Sequence, residues 1–175
     1  MALTLNARKG ADTLRKLEAA AIRRHAEAMV LVDREPLGAI YLHGYAIEMR
    51  LKCAYHRLER IPLGHDLNSP LSGNTESPFQ LATKEIKRLL GAGAPRAVGH
   101  HLQGWASLVI AGRSGSGLKA LDFEFRDELL ERVKNVSLCW SEILRYRANK
   151  PYDSEVKTVA GAAHWLKDNY KRLWK

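Results

Sequence analysis

A chain of 175 residues fits one domain, since compact domains most often hold about 100–150 residues and extend to about 250. Hydrophobic residues at 46% and charged residues at 27% supply both a core and a charged surface, which excludes disorder as the default state. The net charge of +9 is a first functional hint, because a basic surface raises the local concentration of phosphate-bearing partners without identifying them.

Reading along the chain, a first helix is expected from about Asp12, a good N-cap, to about Val32, with Leu14, Leu17, Ala21, Ala28 and Val32 on one stripe. Pro36 is suited to a first helical turn, and a second helix continues to about Leu58 as the most apolar segment of the chain. The turn residues of IPLGHDLNSPLSGNTESP (61–78) mark a loop, after which Ser77 and Pro78 cap a short helix through Leu90. GAGAPRAVG (91–99) breaks the pattern. A further helix begins near Gly99 or His100 and carries Leu102, Trp105, Ala106, Val109 and Ile110 until GRSGSG (112–117) stops it as a flexible connector. From about Asp122 a long helix presents Phe125, Leu129, Val133, Val136, Cys139, Trp140, Ile143 and Leu144, and RYRANKPY interrupts it. Asp153 or Ser154 opens a last helix running toward Trp174.

These elements predict an all-α fold: an antiparallel up-and-down bundle of four to five main helices with one or two short inserted helices. No stretch approaches the roughly 20 apolar residues of a membrane helix. The start, MALTLNARKG, lacks the apolar run of a secretion signal, so the expectation is a cytoplasmic protein with no membrane contact. Cys53 and Cys139 sit in apolar helical patterns without a zinc-ligand spacing, and they read as buried thiols rather than a disulfide or a metal site. Trp105, Trp140 and Trp165 fall on apolar stripes, whereas Trp174 at the end of the last helix is suited to a dimer interface. From Arg145 onward eight Lys or Arg face three acids, a basic tail that is either a solvated helix face or a nucleic-acid contact.

The second helix reads AIYLHGYAIEMRLKCAY, and this resembles the signature of HEPN domains (higher eukaryotes and prokaryotes nucleotide-binding), whose pattern is similar to YLxGYAxExxLKAL. GHHLQGWASLV (99–109) is similar to the family's short helix that starts around His-x-Leu, and WSEILRYRANKPY (140–152) resembles its segment before the final helix. GHDL (64–67) is a second candidate for the His-x-Leu element, so the register stays open between His65 and His100 or His101. On this resemblance the chain is one HEPN-like domain over 1–175 with an insertion at 61–96. The resemblance implies a helical bundle, often a homodimer, that serves as an RNA-cutting toxin, as the partner of a small nucleotidyltransferase, or as a noncatalytic module binding a nucleotide or RNA.

Ribonucleases of that family resemble one another in an Arg-x4-6-His motif, in which His moves a proton and Arg holds phosphate. Arg60 with His65 and Arg96 with His101 match the spacing, but neither arginine is followed by Asn, Asp or His, and RYRANKPYDSEV has no histidine. The leading expectation is therefore a noncatalytic module, without cofactor or metal, that binds a nucleotide, RNA or a nucleotidyltransferase partner through its basic face. The alternative is a metal-independent ribonuclease using one of those pairs.

Glu48 and Lys52 stand four apart on the second helix, where an exposed pair contributes roughly 0.3–0.5 kcal/mol; if that face lines a groove, Tyr45, Glu48 and Lys52 contact a ligand instead. His100 and His101, at a helix start, are candidate anion contacts, or they pack or cap there. Arg145, Tyr146 and Arg147 combine guanidinium groups with an aromatic ring, suited to phosphate contact and base stacking, or to stabilising a helix C-terminus. No phosphate-binding Gly-rich loop, HExxH or serine elbow is present.

Overall fold

The computed structural model describes residues 12–94, 98–146 and 150–175, apart from the side chains of Arg145 and Tyr146. Six α-helices build an all-α bundle, and no strand occurs among the described residues.

Helix α1 (Leu14–Leu31) is capped by Thr13, whose side chain accepts from the Lys16 N–H at 3.3 Å. Asp12, the expected cap, is engaged elsewhere: its carbonyl accepts from Leu67 N and its carboxylate from Asn68 Nδ2. Helix α2 (Pro36–Leu58) starts at Pro36, whose fixed φ and missing N–H suit a first turn, and the chain turns away two residues past its end at Arg60, a left-handed residue with φ of 55°. Fifteen of its 23 residues are buried, which makes it the central rod against which α1, α4 and α6 pack. The four-residue turn between α1 and α2 lays the two antiparallel. The α1–α2 seam is fastened toward the C-terminus by Glu18, which accepts from Arg57 at 2.7 Å and from the Tyr170 hydroxyl at 2.8 Å. Burial pushes the Glu18 carboxyl up, but the bonds from Arg57 and Tyr170 outweigh it and hold the group below its ordinary range.

After α2, residues 61–77 fold back over the start of α1 through Arg15 N to Leu63 O, Leu67 N to Asp12 O and an isolated bridge between Thr13 and Asp66. Helix α3 (Pro78–Leu90) opens with a reciprocal capping box between Ser77 and Gln80. A 3-10 turn, Val98–His100, leads into α4 (Leu102–Gly115).

Helix α4 stops inside GRSGSG as expected, at Gly115 with Ser116 as its C-cap. Arg113, buried, donates to Lys119 O and Arg172 O, and the Ser116 hydroxyl donates to Arg113 O; the connector is tied down rather than a free linker. Helix α5 (Phe123–Cys139), capped by Asp122, is shorter than its apolar pattern predicts. At Trp140 the backbone turns extended, and a separate 3-10 helix, Glu142–Tyr146, carries Leu144 back to the core. The cause is Gly44: the Trp140 indole lies where a side chain at 44 would stand, with 2.1 Å between its ring and an ideal Cβ, and its Nε1 donates to Tyr41 O at 3.1 Å. Helix α6 (Asp153–Asn169) ends the bundle and tightens into a 3-10 turn, Tyr170–Leu173.

Trp105 and Trp140 are buried, as the stripes predict, while Trp165 is half-buried and stacks on Phe125 with ring centroids 5.0 Å apart. Trp174 is not left at an open end; Arg57 lies over its ring at 4.4 Å. Cys53 is buried and Cys139 half-buried, both as free thiols. Among the described residues, no helix is long and apolar enough to cross a membrane.

Candidate functional site

One face of α2 carries Tyr45, Glu48, Lys52 and, one turn further, His56, at the spacing that stacks side chains along a helix. This face looks into a cavity of about 430 Å³. Its walls come from α1 (Leu17, Ala20), α2 and Phe79 of α3, and the 61–77 fold-back closes it at Leu67 and Asn68. The sequence builds this space because that segment clasps the start of α1 while α3 stands off behind its capping box.

Inside, Glu48 is 3% exposed and has both oxygens engaged. Lys52 Nζ donates to Oε1 at 2.6 Å, and His100 Nδ1 sits 2.8 Å from Oε2. The Lys52 ammonium also lies 5.1 Å from the Phe79 ring centroid and 5.3 Å from that of Trp105, an aromatic cradle that compensates for lost water. Trp105 further donates its Nε1 to Gly99 O at 3.0 Å, which fixes the Val98–His100 turn so that the imidazole reaches Glu48. The hydrogen bond with Glu48 raises the His100 pKa above its ordinary value, against the opposing effect of burial. Tyr45 packs edge-on to His100, Tyr41 and Trp140.

His56 completes the site and was not singled out in the sequence, although its place four residues after Lys52 puts it on the same face. Its ring is 1% exposed, neither nitrogen has a partner among the described residues, and burial followed by the Lys52 charge pushes its pKa down to about 4. It is a neutral imidazole on the cavity wall at ordinary pH.

Tyr45, Glu48, Lys52 and His100 therefore meet in one place, but His100 does so as the partner of a carboxylate, not as an anion contact at a helix start. His101 is the N-cap of α4: its Nδ1 accepts from Gly104 N at 3.0 Å, and burial lowers its pKa. His65 lies in the fold-back, its Nε2 2.9 Å from Ser69 O, and Arg60 is exposed at the end of α2. Arg96 and Arg147 lie outside the described residues, as do the side chains of Arg145 and Tyr146. Among the described residues no group of three or more His, Cys, Asp or Glu could hold a metal ion. Comparison of the chain with protein-family models, curated proteins and solved structures returns no match.

Proposed function

We propose that the chain is a noncatalytic binding module of the HEPN kind that takes a nucleotide in the cavity between α1, α2 and α3. The observation that carries this reading is a cavity of about 430 Å³ into which a Glu48–Lys52–His100 chain projects, buried at Glu48 and Lys52 and half-buried at His100, beside a neutral His56. Small-molecule sites span roughly 300–1,000 Å³ and combine apolar and aromatic walls with a few placed polar groups. Phe79, Tyr45 and Leu17 supply walls for a planar base, the half-buried His100 offers a hydrogen-bonding edge, and Lys16 stands at the mouth where a phosphate would emerge. A concave pocket favours a nucleotide over a nucleotidyltransferase partner, which needs a broad face.

The test is calorimetric titration of the purified chain with adenine, guanine, cytosine and uracil mononucleotides, beside a Lys52→Met/Glu48→Gln variant. Saturable binding to at least one nucleotide, lost in the double variant while its circular dichroism is unchanged, is the expected result. Absence of binding to all four sinks the reading. Labelled RNA incubated in parallel with the wild type and with His101→Ala and His65→Ala variants addresses the ribonuclease alternative, which requires cleavage that one of those substitutions abolishes.

A further inference from the structure

A second cleft opens at the far end of α4, between the 116–122 connector and the C-terminal 3-10 turn, with a volume of about 380 Å³. Its lining residues include Arg113, which is 9% exposed. The guanidinium donates through Nε to Lys119 O at 2.7 Å and through Nη1 to Arg172 O at 3.0 Å. No carboxylate among the described residues lies within ion-pair distance of it. A charge withdrawn from water needs hydrogen bonds and a counter-charge, and here it has the first without the second.

The rest of the lining deepens the imbalance. Lys119, Lys171, Arg172 and Lys175 face the cleft against a single acidic side chain, Asp122. That carboxylate is already engaged, capping α5 through Phe125 N at 2.8 Å and pairing with Arg172 at 3.0 Å. Cations at helix C-termini complement the macrodipole, and this accounts for the place of Arg113 in the last turn of α4. It does not account for Lys119 and Lys171, which are exposed and make no ion pair among the described residues.

We infer that this cleft is an oxyanion site that takes a phosphate group, with Arg113 behind it and Lys119, Lys171 and Lys175 around its mouth. A phosphate offers several acceptor oxygens and more than one negative charge, which suits one fixed guanidinium surrounded by mobile ammonium groups. The inference is independent of the nucleotide reading, because its residues and those of the Glu48 cavity do not overlap.

The experiment is titration of the full chain at low ionic strength, followed by amide chemical shifts, with two probes. One is inorganic pyrophosphate; the other is a dinucleotide with a single phosphodiester and no terminal phosphate. Saturable shifts at Arg113, Lys119 and 170–175 are expected. A Lys171→Ala/Lys175→Ala variant, which leaves the buried groups in place, should weaken binding by roughly tenfold. A Lys134→Ala/Lys157→Ala variant, of equal charge but away from the cleft, should stay within about twofold. Saturation by pyrophosphate alone identifies a terminal or free phosphate, and saturation by both identifies a phosphodiester chain as an accepted ligand. The inference is overturned if neither probe saturates at millimolar concentration, or if the two double variants weaken binding equally, since that outcome reduces the effect to net charge.

Discussion

Helix α2 buries ionisable groups on two opposite faces, and the two faces solve the problem differently. Toward the cavity, Glu48 has a partner on each oxygen, Lys52 at 2.6 Å and His100 at 2.8 Å. Toward α1 and α6, His43 lies fully buried in a cluster of tilted rings with His25, whose ring is 5.1 Å from His43 and 5.6 Å from His164. Neither nitrogen of His43, nor His25 Nδ1, nor Arg50 Nε has a partner among the described residues. The histidines of the second face are pushed toward neutrality: burial, then the neighbouring His25 and His164, push the His43 pKa down to about 4, and burial followed by the Arg50 charge lowers that of His25. One face therefore depends on each partner being present, and the other on protons being absent.

The largest expected effect breaks the paired face. Glu48→Gln removes the charge that both Lys52 and His100 lean on, and unfolding in urea should show a loss of about 3–5 kcal/mol, the range for stripping one partner from a buried pair. Adding Lys52→Met should recover much of that loss, because no buried charge is then left alone. Equal stability of Glu48→Gln and the wild type would mean the pair is not buried in solution.

Next in size is the acid response of the neutral face. The folded chain holds His43 near pKa 4 while the unfolded chain titrates near 6.5, so the unfolded state takes up the proton first as pH falls. Stability is then complete above about 6.5, declines between about 6.5 and 4, and levels off below, with up to ~3 kcal/mol at stake for this ring. Denaturant midpoints at pH 7 and 4.5 should fall less in His43→Leu than in the wild type; an identical fall in both would remove the ring from the account. His56, also near 4, adds to the same decline from the cavity side.

A smaller effect, of opposite sign in pH, sharpens the contrast. The raised pKa of His100 stabilises the fold fully below about 6.5, and that contribution is lost as pH climbs through the folded value. The imidazole is partly exposed, so His100→Ala should cost only about 1 kcal/mol near pH 6 and less at pH 8. Proton NMR of the ring should place its midpoint above 6.5 and show it dropping in Glu48→Gln. The smallest effect belongs to a pair on neither face: Arg24 and Glu27 are bonded on the open side of α1, and Arg24→Ala should change stability by no more than about 0.5 kcal/mol.

The sequence made some of this legible for identifiable reasons. Pro36, Ser77 with Pro78, and Asp122 mark helix starts through local chemistry, and the structure begins α2, α3 and α5 there. The grouping of Tyr45, Glu48 and Lys52 follows from helical spacing alone. What spacing misses is whatever another element decides. Trp140 leaves the helical pattern because Gly44, 96 positions earlier, leaves room for its ring. Thr13 displaces Asp12 as a cap because the fold-back draws on Asp12. The pairing of His100 with Glu48 and the cluster of His25, His43 and His164 join residues from different elements, and no local pattern announces either.

The seat of Trp140 on Gly44 has a consequence for how sequences of this kind diverge. Position 44 is barred to every residue with a side chain so long as an indole occupies 140, and a methyl gained at one can be accommodated only by a smaller group at the other. Across homologous chains the two columns should vary together, and glycine at 44 is a mark of that packing rather than of any ligand.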